Sequence, residues 1–111
     1  MAEANARRVL AIHAHPDDVE FQCAGTLALL VERGWQVSIV TMTPGDCGSA
    51  ELGSAEIART RRAEAKAAAD LIGASYECLE FRDLSIVFDN DSRHRVTECL
   101  RRNRPDIVLT A

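Results

Sequence analysis

The chain has 111 residues, enough for one domain or part of one, and its 47% apolar content allows a real core. A formal net charge of -4 argues against broad binding to nucleic acid or to an anionic membrane surface. No apolar run approaches the roughly 18–20 residues that span a bilayer, and Met1 to Arg8 lack the apolar core of a secretory signal, so a cytoplasmic location is expected.

Val9 to Ala14 is a short apolar run and reads as a buried first strand. From Asp18 to Arg33 the residues Cys23, Ala24, Leu27, Leu30 and Val31 recur at three- and four-residue steps, the spacing of one helical face. Pro16 suits the entry to that helix and Gly34 its exit. Gly25, inside the helix, suggests a close approach of helix to sheet. Trp35 to Met42 is rich in β-branched residues and predicts strand two; Thr43 to Ser49 is a loop by its turn residues. A second helix is expected from Ser54 to Ile72, with Ile57, Ala65, Ala68, Ala69 and Ile72 apolar and Gly73 closing it. Tyr76 to Phe81 reads as strand three, Arg82 to Asp91 as irregular. Ser92 to Arg104 reads as a third helix with Val96, Cys99 and Leu100 inward, and Asp106 to Ala111 as strand four.

The order β-α-β-α-β-α-β predicts a Rossmann-like parallel α/β sheet with flanking helices. The sequence stops directly after strand four, so the single domain spanning 1–111 is expected to be an incomplete amino-terminal part. A sheet cut there would expose an edge or an apolar face that admits homo-oligomer formation. The arginines of the second and third helices, Arg59, Arg61, Arg62, Arg101, Arg102 and Arg104, are expected on solvated faces. Cys23, Cys47, Cys78 and Cys99 form no C-x-x-C pair and read as reduced thiols, Cys23 in the core.

Chemistry concentrates between strand one and helix one, in His13-Ala14-His15-Pro16-Asp17-Asp18-Val19-Glu20. In open parallel sheets ligands bind outside the carboxyl ends of the strands, which is where this turn falls. His15 and Asp18 offer an imidazole nitrogen and a carboxylate oxygen, a donor pair that zinc accepts. Asp17 beside a metal would be a natural general base. A structural reading stands level with this one: Pro16 starts the helix and Asp17 or Asp18 caps its free amides. His13 reads either as lying beside the site or as a buried, satisfied histidine. There is no G-x-G-x-x-G after strand one, no P-loop and no G-x-S-x-G, which sets aside dinucleotide, P-loop and serine-nucleophile chemistry. Cys47 lies in the loop after strand two, close enough to be near the site.

The run Ala14 to Phe21, followed by Cys23-Ala24-Gly25-Thr26-Leu27, resembles the LmbE-like (PIG-L) de-N-acetylase family. The likeness continues through Thr43-Pro44-Gly45-Asp46, Arg61-Arg62-Ala63-Glu64-Ala65, Leu71-Ile72-Gly73-Ala74 and Arg104-Pro105-Asp106-Ile107-Val108, in the same element order. It implies a hydrolase that uses Zn2+ (or another divalent transition metal) to remove an N-acetyl group from an acetamido sugar conjugate or similar small amide. It further implies that His15 and Asp18 are metal ligands, Asp17 the base that deprotonates the attacking water, and Arg61 a substrate-contacting arginine, with neighbouring Arg62 close in position. Glu20 receives no catalytic role. In the family a third ligand, a histidine, and the histidine that assists the reaction come from beyond strand four. The resemblance therefore implies that these 111 residues alone bind zinc weakly and are inactive; His94, among charged residues at the start of helix three, is a poor substitute. The alternative is a Rossmann-like binding or assembly module without turnover.

Overall fold

A computed structural model describes residues 6–111. It places β1 at Arg8–His13, α1 at Asp18–Glu32, β2 at Gln36–Thr41, α2 at Ser54–Ile72, β3 at Ser75–Cys78, α3 at Asn90–Asn103 and β4 at Ile107–Leu109. Met1 to Asn5 lie outside the described residues, and with them most of the stretch read as free of a secretory signal. Among the described residues no helix is long and apolar enough to cross a membrane.

The four strands are parallel, in the order β3-β2-β1-β4. The chain leaves β1 toward β2 and β3 and comes back to its other side at β4. Strand order therefore reverses at β1, whose carboxyl end carries the His-Pro-Asp-Asp turn; this is the expected α/β frame, and such a reversal is where ligands bind in open parallel sheets.

Alternation along β1 sends Val9 and Ala11 to one face and Leu10 and Ile12 to the other. On the first face they join Val37 and Ile39 of β2, Val19 and Leu27 of α1 and Ala69 of α2. On the second, Leu10, Ile12 and Val40 meet Leu79, Phe81 and Cys99 of α3. Leu10 and Leu27 are fully buried, and each contributes about 1.5–3 kcal/mol by leaving water. Cys23 is half-buried against the first cluster, as its helical position predicts.

The long α2 ends where Gly73 takes φ 80, a left-handed conformation that costs a Cβ-bearing residue but not glycine. The amide of Ala74 then bonds back to the carbonyl of Ala69 at 2.9 Å. Helix α3 begins two residues before the expected Ser92. Asp89 caps it, its carboxylate accepting from the Ser92 amide at 2.9 Å. That bond holds the Asp89 carboxyl below its ordinary range.

Three expectations need correction. Strand β3 is regular only to Cys78, because Glu80 takes φ 63 and breaks the ladder; the Leu79 and Phe81 amides still bond to the carbonyls of Thr41 and Met42. Gly25 marks no close approach, since a Cβ there would meet nothing within 4 Å. Leu100 is exposed rather than inward, and on α3 it is Cys99 that is buried. Apolar exposure gathers at Leu84, Val87 and Phe88, before α3, and on β4 at Ile107 and Val108.

Candidate active site

The turn after β1 is held to the loop after β2 by continued pairing. The Met42 amide donates to the His13 carbonyl at 2.8 Å and the Thr43 amide to that of Ala14 at 3.0 Å. Thr43 is buried, and its hydroxyl accepts from the Gly45 amide at 3.1 Å. Pro16 is buried beneath the turn, while Asp17 opens α1 as its N-cap with φ 88. Asp tolerates this conformation better than most residues, yet it remains strained. Glu20 reaches back to accept from the Asp17 amide at 3.2 Å, the return half of a capping box. Its role in the turn is structural.

The turn does start the helix, with Asp17 at its N-cap, and Asp18 is engaged separately with His15. Asp18 Oδ2 accepts from the His15 amide at 3.0 Å and lies 3.6 Å from His15 Nδ1. Two donors on a tetrahedral zinc, at bond lengths of about 2.0–2.2 Å, sit roughly 3.3–3.6 Å apart. One nitrogen and one oxygen at this spacing suit two corners of such a site. Among the described residues no group of three or more His, Cys, Asp and Glu side chains converges as a metal centre.

Arg61 enters this site from α2, contrary to its expected solvated face. Its guanidinium donates to the Pro16 carbonyl at 2.7 Å and to the Gly45 carbonyl at 3.5 Å, and Nη2 lies 3.6 Å from Asp17 Oδ2. A Cβ on Gly45 or Gly48 would overlap it, so the loop must be glycine-lined for this arginine to reach the turn. Arg62 points elsewhere, to a two-point pair with Glu80 at 2.6 and 2.8 Å. Of the two neighbours, Arg61 stands at the turn.

Two buried acids complete the surroundings, and neither is marked out by its own chemistry in the sequence. Asp83, just past β3, has its Oδ1 2.8 Å from His15 Nε2, and its Oδ2 accepts from the Cys47 amide at 3.3 Å. Asp46 accepts from the Asp83 amide at 2.7 Å, from Arg82 Nε at 2.8 Å and from the Ser54 hydroxyl at 3.2 Å. The carboxyl-end rule that picks out the first turn applies equally to the segments after β2 and β3, and would have found both.

Burial alone would push the Asp46 carboxyl up, but the Asp83 amide, Arg82 and Ser54 outweigh it and leave it below its ordinary value. A folded-state value below the unfolded one, about 3.9, means stability that is present above that pH and lost as pH falls through the folded value. Thermal midpoints are therefore expected to drop below about pH 4, and Asp46→Asn to lower the neutral-pH midpoint while flattening that acid limb. Parallel acid limbs in the two proteins would contradict this role.

The remaining candidates fall outside the chemistry. His13 is buried at 4% exposure and its Nδ1 has no hydrogen-bond partner, so it is not a satisfied core histidine. Cys47 is exposed at the rim, its thiol 3.7 Å from the Asp83 carbonyl. His94 is exposed on α3, as expected.

Comparison with known proteins identifies the family and the fold. Residues 10–111 match the family described as PIG-L, GlcNAc-PI de-N-acetylase. The chain is 31% identical over 111 residues to the 4-oxalmesaconate hydratase of Pseudomonas putida, covering 94% of this chain and 43% of that protein. It is 31% identical over 108 residues to the diacetylchitobiose deacetylase of Thermococcus kodakarensis, covering 95% and 40%. The solved N,N'-diacetylchitobiose deacetylase from Pyrococcus horikoshii superposes with a TM-score of 0.86 at 34% identity, over 94% of this chain and 40% of that one. The chain thus spans about two fifths of the length of these relatives.

Proposed function

The chain belongs to the PIG-L, or LmbE-like, de-N-acetylase family, and from that premise we propose that it is the amino-terminal, metal-binding part of a hydrolase. The reaction is removal of an N-acetyl group from an acetamido sugar conjugate or a similar small amide. One observation carries the reading: His15 Nδ1 and Asp18 Oδ2 face each other at 3.6 Å beside a solvent-open Asp17, at the point where strand order reverses.

In this reading His15 and Asp18 hold zinc or another divalent transition metal. Zinc bound there supplies an acidified water and a positive charge that polarises a carbonyl. Asp17 takes the proton of the attacking water; its carboxylate is 66% exposed and free to face a substrate. As the carbon–oxygen bond forms and the carbon–nitrogen bond breaks, that proton passes to the departing nitrogen, giving acetate and a free amine. Arg61, anchored at Pro16 and Gly45, is placed to contact the sugar. The third metal donor and the histidine that assists the reaction are assigned to sequence outside these 111 residues, because the relatives run more than twice this length. These residues alone then bind zinc weakly and do not turn over. A cytoplasmic setting goes with this reading.

The similarity to a hydratase favours a second reading, addition of water to a carbon–carbon double bond at the same turn. Product analysis of the whole enzyme separates the two. Incubation with an N-acetylglucosamine conjugate, followed by proton NMR, is expected to release acetate and free amine in equal amounts. No acetate, with hydration of an unsaturated tricarboxylic acid instead, would overturn the deacetylase reading.

A further inference from the structure

We propose that Asp83 is a positioning residue that fixes His15 as its Nε2–H tautomer, so that the Nδ1 lone pair is presented toward Asp18. This rests on the reading of His15 as a metal ligand and adds the group that orients it.

The geometry assigns each ring nitrogen a different carboxylate. Nε2 lies 2.8 Å from Asp83 Oδ1, and Nδ1 lies 3.6 Å from Asp18 Oδ2. An ionised carboxylate only accepts, so the short contact requires the hydrogen to sit on Nε2. In the neutral ring, the form that can ligate a metal, Nδ1 is then left with its lone pair on the Asp18 side. The two ring nitrogens point away from one another, so Asp83 does not share a metal with Asp18 in this arrangement. A ligand histidine that gives its other N–H to a carboxylate is oriented and made more basic by it.

Asp83 is built for this task rather than placed by chance. It is buried at 7% exposure, where a hydrogen bond is strengthened by the low local dielectric. Its carboxylate is held on the Oδ2 side by the Cys47 amide, and its backbone amide is held by Asp46. Asp46 is fixed in turn by Arg82 and Ser54. The loops after β2 and β3 thus form a rigid bracket whose far end is the His15 ring. An apolar residue at 83 would leave both Nε2 and the Cys47 amide without acceptors.

The test uses 15N-labelled protein, free of metal, with ring-nitrogen shifts recorded at neutral pH. The chain has three histidines, and His15→Gln identifies the signals of interest. The wild type is expected to show the Nε2–H pattern for His15, and Asp83→Ala a mixture of tautomers. Zinc titration against a competing chelator is expected to show affinity falling about 10- to 100-fold in Asp83→Ala. Asp83→Asn keeps the shape and an oxygen for the Cys47 amide, so it carries the test if the alanine variant does not fold; its His15 is also expected to lose the single tautomer. A wild-type His15 with its hydrogen on Nδ1, or a tautomer unchanged in both variants, would overturn the proposal. If zinc binding is instead indifferent to His15→Gln while the tautomer follows Asp83, the bracket stands and the reading of His15 as a ligand fails.

Discussion

Asp17→Asn is expected to lower kcat of the whole enzyme by roughly a hundred- to ten-thousandfold, the usual worth of a positioned base, with metal content unchanged. The substitution is close to isosteric. Asn tolerates the left-handed backbone found at this position, and the amide that Glu20 receives is untouched. The pair with Arg61 is long and half in solvent, so its loss costs little stability. What disappears is the proton acceptor. Near-normal turnover in this variant would remove Asp17 from the chemistry, and metal analysis of the same preparation distinguishes loss of the base from loss of the ion.

Asp18→Ala is expected to act earlier, abolishing metal binding and with it activity. Asp18 supplies the only carboxylate oxygen facing His15 Nδ1 among the described residues, and its loss takes the whole enzyme below the three protein donors that a catalytic zinc site normally keeps. The variant also loses the bond from the His15 amide, at about 1.5–3 kcal/mol for an acceptor that carries charge. Zinc measured after dialysis should fall from stoichiometric in the whole enzyme to background. Retention of zinc would mean that the turn merely starts a helix. A wild type that takes up no zinc, and binds its ligand equally well with or without Asp18, would support the non-catalytic module.

The frame is legible in the sequence because it rests on local patterns. Helix α2 occupies the expected 54–72, bounded by Gly53 and Gly73, while β1 stands out as an unbroken apolar run and β2 by its β-branched residues. Strand β3 is shorter than its apolar run suggests, because the left-handed turn at Glu80 has no glycine to announce it. The surroundings of the turn are less readable for a geometric reason. Asp83 meets His15 across 68 residues and Asp46 across 37, and no spacing rule reaches that far. Arg61 and Arg62 show the limit in miniature. Between the buried Ala58 and Ala65, one lies three and four residues from its neighbours and the other four and three, so helical phase alone favours neither. Only the glycines of the facing loop, which leave room for a guanidinium, decide between them.

The central place of β1 also sets an order of assembly. One edge of this strand pairs with β2, a neighbour in sequence; the other waits for β4, where the Arg8 amide meets Asp106 Oδ2 at 2.7 Å across 98 residues. Contacts that distant form late, since the loop must close before they repay it. At a synthesis rate of about 5–20 residues per second, the open edge of β1 emerges from the ribosome roughly 5–20 s before its partner. The strand that leads into the His-Pro-Asp-Asp turn thus waits with one edge open while most of the chain is made, and a chaperone that shields that edge would protect the turn and the fold together.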